Sequence, residues 1–69
     1  MSDAALIRMA NQIAANFGGR AEAAAVEETA SHISRFWDPR MRADLLRLVA
    51  DGKTAGLSSI VTQAASRLR

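Results

Sequence analysis

This 69-residue chain has no cysteine, one proline, one tryptophan, two phenylalanines and one histidine. Without cysteine there can be no disulfide, no thiolate metal site and no cysteine nucleophile. A single histidine cannot build a zinc site by itself, and no Asp, Glu and His cluster has ligand spacing. No stretch approaches the ~18–20 apolar residues of a membrane span. Polar Asn11, Gln12 and Asn16 interrupt the apolar residues of positions 1–20, so no signal-peptide core is read there. The formal net charge of +2 is too small to imply a nucleic-acid partner. These absences lead to the expectation of a cytoplasmic protein with no metal or cofactor of its own, touching neither nucleic acid nor membrane.

Small size and the missing staple raise a further expectation. One domain over residues 1–69 fits this length. A chain this small buries only about 60% of its unfolded surface, so a protein partner is expected, with idealised helix packing as the alternative. Eight of the nine basic residues are arginine, which suits bidentate contacts to carboxylate or phosphate better than lysine would.

Helical periodicity fills the rest, and no segment alternates as a strand. The expected fold is all-α, a small bundle of four short helices with a helix–corner–helix at Trp37-Asp38-Pro39. The first helix should start at Ser2 or Asp3 and run to Phe17, with Leu6, Met9, Ala10, Ile13 and Phe17 on one face. Gly18-Gly19 should stop it in a left-handed cap. The second should run from about Ala21 to Phe36 or Trp37, with Val26, Ala30, Ile33 and Trp37 as its core stripe. A neighbouring stripe of Ala25, Thr29, His32 and Phe36 lies about a quarter turn away and is either a wider core or a contact with another chain. Asp38 caps and Pro39 opens the third helix, which runs to Asp51, buries Met41, Leu45, Leu48 and Val49, and ends at Gly52. Ser58 caps the last, where Leu57, Ile60, Val61, Ala64 and Leu68 share a face. Arg67 and Arg69 at its end complement the helix dipole.

Catalysis finds little support. His32 is the sole candidate base near neutral pH, and no neighbour is placed to orient it; a surface or interface role suits it better. Asp38 is explained by capping. Arg40, Asp44, Arg47 and Asp51 share one helical face and form an expected surface ladder of opposite charges. Arg42 lies off that ladder, and with Arg35 is better placed to reach a partner's carboxylate, carbonyl or phosphate groups. Trp37 either plugs the core or supports the surface around it. Aromatic and arginine side chains dominate binding energetics, so partner binding is assigned to His32, Arg35, Phe36, Trp37, Arg40 and Arg42.

Two stretches carry a family resemblance: Met9-Ala10-Asn11-Gln12-Ile13, and Phe36-Trp37-Asp38-Pro39-Arg40-Met41-Arg42 at the corner. With Gly56-Leu57 and the segment from Ala64 to Arg69, the chain resembles the delta subunit of cytoplasmic NAD-dependent molybdenum- or tungsten-containing formate dehydrogenases along nearly its whole length. It departs from that pattern at Ser58-Ser59, where a proline often follows Gly-Leu-x, and at Lys53-Thr54-Ala55, which replaces a more glycine-rich loop. The resemblance implies a non-catalytic accessory subunit that binds the catalytic alpha subunit and supports assembly, cofactor retention or activity. It also implies that the partner complex holds a molybdenum or tungsten bis-pterin cofactor, iron–sulfur clusters and FMN. Under that reading Arg35 or Arg42 could approach the pterin phosphates. The residues by themselves leave two other readings open, a small helical nucleic-acid-binding module and a self-associating helical bundle.

Overall fold

Side-chain oxygens start three of the four helices. Ser2 Oγ accepts from the Ala5 N–H at 3.1 Å, Asp38 Oδ1 from the Met41 N–H at 2.9 Å, and Ser58 Oγ from the Val61 N–H at 3.2 Å. Each satisfies one of the amides a helix leaves unpaired in its first turn. The computed structural model, which describes residues 1–68, places these caps before α1 (Asp3–Asn16), α3 (Pro39–Ala50) and α4 (Ser59–Ala65). The remaining helix, α2 (Glu22–Phe36), begins after Ala21 with no side-chain cap. The expected all-α bundle of four short helices is therefore observed, with no strand among the described residues. Arg69, expected to complement the dipole of the last helix, lies outside the described residues.

Two helix ends contrast. Gly52 has φ +74° and is the one left-handed residue among those described. Around it the Lys53 N–H returns to the Leu48 carbonyl at 2.9 Å and the Gly52 N–H to Val49 at 3.1 Å, the two bonds that close a helix on a left-handed glycine. Gly18 and Gly19 do not take the left-handed cap expected of them. Instead the Phe17, Gly18 and Arg20 amides bond to Ala14, Ala15 and Phe17 at 3.1, 3.2 and 3.2 Å. This tightening into three-residue turns satisfies terminal carbonyls without positive φ.

The core draws on every helix, on the corner after α2 and on the segments before and after α4. It contains Leu6, Ala10 and Ala14, then Val26, Ala30, Ile33 and Trp37, then Leu45 and Leu48, and finally Leu57, Val61, Ala64 and Leu68. Ile7, Ile13, Met41, Leu46, Val49 and Ile60 pack at its margin. Met9 was expected inside but is 39% exposed. The buried stripe of α1 centres on Ala10, and Met9 lies one residue step away, about 100° around the helix. The second stripe of α2 divides. Ala25 and Thr29 are completely buried, while His32 is half-buried and Phe36 is exposed.

That division follows from α4, which packs against all three other helices and most extensively against α2. Both helices bury small side chains, Ala25 and Thr29 on one and Ala64 and Ala65 on the other. Polar ties fix the pairing: Gln63 Nε2 donates to Glu22 Oε2 at 3.0 Å, and Arg67 pairs with Glu27 at 2.6 Å. The Cα radius of gyration is 10.7 Å, against about 11 Å for a fully collapsed chain of this length. Among the described residues no helix is long and apolar enough to cross a membrane.

Candidate partner-binding site

The corner after α2 is built from both sides. Trp37 leaves the helix with extended backbone, φ −83° and ψ 140°, and Asp38, the residue before the proline, is extended as well at φ −71° and ψ 164°, as that position favours. The Trp37 amide still bonds to the Ile33 carbonyl at 3.0 Å. Its indole turns inward and is only 5% exposed, so Trp37 supports the surface from within and offers a partner almost no area. Arg42, one turn into α3, reaches back. Its Nη1 donates to the Trp37 carbonyl at 2.5 Å and, at a longer 3.4 Å, to the Ser34 carbonyl. A cation there complements the C-terminal end of the α2 dipole. Part of the guanidinium that was expected to face a partner is thus engaged inside the chain.

The charge ladder of α3 is reduced to one pair. Arg47 and Asp44 meet at 2.7 Å. Arg40 is exposed and makes no ion pair among the described residues.

Phe36 is the outstanding surface feature. It is 70% exposed, and its ring lies 4.7 Å from the His32 ring, centroid to centroid, tilted by 46°. The four-residue step along α2 brings the two together. They form a ridge between two hollows. The larger, about 570 Å³, runs between α1 and α2 and is lined by Arg8, Met9, Gln12, Ile13 and Trp37 besides the ridge itself. The smaller, about 180 Å³, lies beyond the ridge against Phe17, Glu28, Ser31 and Arg35.

The structure therefore brings His32, Arg35, Phe36 and the buried Trp37 to one place, with Arg40 and Arg42 outside both hollows. It adds Arg8, Met9, Gln12 and Ile13, which sequence reasoning did not assign to the site. A signal was present: Arg8 and Gln12, and Met9 and Ile13, are both four-residue pairs on adjacent lines of one helix face.

Electrostatics separate the arginines. Arg47 and Arg67 hold the carboxylates of Asp44 and Glu27. Arg20 Nε lies 2.7 Å from Glu28 Oε2 without its N–H aimed at that oxygen, a contact of charges and not a hydrogen bond. Its guanidinium also stands 5.9 Å over the Phe17 ring. Arg8 and Arg35 are exposed and in no ion pair among the described residues. No group of three His, Asp or Glu residues able to hold a metal ion occurs among the described residues.

Fold and surface together define a small helical module whose concentrated feature is an aromatic ridge flanked by two arginines that form no ion pair among the described residues. The chain belongs to the family of NADH-dependent formate dehydrogenase delta subunits, FdsD, whose sequence model matches residues 5–65. Both stretches that carried the resemblance, residues 9–13 and 36–42, fall inside that span. No curated protein and no solved structure gives a significant match.

Proposed function

We propose that this chain is a non-catalytic delta subunit that binds the catalytic alpha subunit of a cytoplasmic NAD-dependent formate dehydrogenase and supports its assembly, cofactor retention or activity. Family membership over residues 5–65 carries the reading. The surface agrees with it, since the chain concentrates exposed apolar area at Phe36 and leaves Arg8 and Arg35 unpaired beside it.

The mechanism is linkage. A subunit that binds the assembled or cofactor-loaded alpha subunit more tightly than the empty one shifts the population toward the loaded form. At a concentration 100 times its dissociation constant, such a ligand stabilises its preferred state by about 2.7 kcal/mol. On this reading formate is oxidised at a molybdenum or tungsten bis-pterin centre in the alpha subunit, and electrons pass through iron–sulfur clusters to FMN in another subunit. This chain contributes binding energy and none of those groups. Of the two arginines considered for the pterin phosphates, Arg35 has its guanidinium unengaged among the described residues, whereas Arg42 Nη1 already serves two backbone carbonyls.

Purification of the tagged chain from its native host at moderate salt tests the proposal. Recovery of a large complex containing metal and flavin is the expected result. Recovery of the chain alone would overturn it.

A further inference from the structure

The ridge and its two hollows carry information about what sits on them. Phe36 is the most exposed large apolar side chain outside the N-terminal methionine, and Met9 lies across the groove from it. The floor beneath is Trp37, buried and fixed by the corner. The Phe36 ring is held against His32. An apolar side chain entering here meets a surface already ordered, so little further conformational freedom is lost on binding.

Charge then narrows the occupant. Arg8 lines the groove on one side of Phe36 and Arg35 lines the hollow on the other. The one other charged group lining either hollow, Glu28, lies against Arg20, and Asp38 at the corner caps α3. Two unpaired guanidiniums astride an exposed ring favour a surface that presents carboxylates on both sides of an apolar group. A second copy docking through this same face does not supply that surface. The one carboxylate lining either hollow is Glu28, already held against Arg20.

We propose that the groove between α1 and α2 seats an acidic, apolar-tipped segment of the formate dehydrogenase complex, gripped by Arg8 and Arg35 on either side of Phe36. The inference rests on the delta-subunit reading above and adds to it a docking face and the chemistry of the partner's segment.

The test titrates the full chain into formate dehydrogenase complex prepared without it, at low and at high salt. Phe36→Ala should weaken binding about 30-fold, the loss typical of an interface anchor. Arg8→Glu combined with Arg35→Glu should weaken it about 100-fold and abolish most of its salt dependence. Lys53→Glu, a charge reversal in the exposed loop before α4, should leave it unchanged. All of these positions are exposed, so helix content should stay at the wild-type level by circular dichroism. Wild-type binding with unchanged affinity in the Phe36 and double-arginine variants overturns the inference and leaves the delta-subunit reading intact. Absence of wild-type binding overturns that reading, and the inference falls with it. A discrete oligomer of the isolated chain that Phe36→Ala dissolves would assign the groove to a second copy, and equally overturns the inference.

Discussion

Asn11 grips Ser58 from 47 residues away. Its Oδ1 accepts from the Ser58 N–H at 2.9 Å, while its Nδ2 donates to the Gly56 carbonyl at 2.8 Å. One amide thus uses both its ends to hold the loop that leads into α4. Ser58 is thereby placed to cap α4 through its own Oγ. Within the 9–13 stretch the residues now have separate tasks: Ala10 is core, Asn11 holds the loop, and Met9, Gln12 and Ile13 line the groove.

Asn11→Ala should therefore destabilise the chain through a site remote from its own helix partners. Both bonds vanish and the part-buried Ser58 N–H is left unpaired, which costs about 1–3 kcal/mol. Urea unfolding should show the loss as a lowered midpoint with unchanged slope. Amide exchange across residues 57–62 should accelerate more than exchange within α2. An unchanged midpoint would show that the two bonds contribute nothing net.

Phe36 and Trp37 are adjacent and should respond very unequally. Trp37 is buried as part of the core cluster, and Trp37→Ala should cost about 3–5 kcal/mol. Phe36→Ala removes a side chain that is 70% exposed, and stability should move by no more than about 0.5 kcal/mol. Parallel denaturation curves of the two variants check the contrast. A large loss from Phe36→Ala would place its ring in the fold and not on a docking surface.

Arg42→Ala should act on folding. The bonds to the Trp37 and Ser34 carbonyls are charge-assisted, but the first is only part-buried and the second is exposed, so the loss is about 1 kcal/mol. Arg42→Lys keeps the charge near the end of α2 but lacks the planar fork, and should recover only part of it. Thermal melts order the three proteins, and the folded fraction should bind the enzyme complex with wild-type affinity. Wild-type stability combined with weakened binding would return Arg42 to the interface.

Local chemistry was legible in the sequence, and neighbour relations were not. Ser2, Asp38-Pro39, Gly52 and Ser58 each announce a helix end, because capping depends on a few adjacent residues. The 36–42 stretch was read as both corner and recognition surface, and the corner is where the structure has it. The fate of the second α2 stripe could not be read, because it depends on how far α4 reaches. α4 has seven residues against fifteen for α2, roughly 10 Å against 22 Å at 1.5 Å per residue. Its ties to Glu22 and Glu27 set it over the first half of α2, so Ala25 and Thr29 are covered while Phe36 is not. The bonds of Arg42 within the chain were illegible for a related reason. Its acceptors are backbone carbonyls, which leave no mark in the sequence.

The covered half of that stripe contains an anomaly that a single substitution can probe. Thr29 is wholly buried, and its Oγ1 has no hydrogen-bond partner among the described residues, although helical threonines often bond the carbonyl four residues earlier. A buried hydroxyl without a partner costs about 1–3 kcal/mol in lost hydration. Thr29→Val keeps the branched shape and replaces the hydroxyl by a methyl, so it should stabilise the chain by about 1 kcal/mol. For a domain of this size that raises the melting temperature by about 4–8 °C. Thr29→Ser provides the opposite change, since it keeps the hydroxyl and deletes the methyl, leaving a small cavity that should cost about 1 kcal/mol. Thermal unfolding of the three proteins should rank valine above threonine above serine. A melting temperature lowered by valine would mean that the hydroxyl has a partner at the α2–α4 contact and stabilises that contact through it.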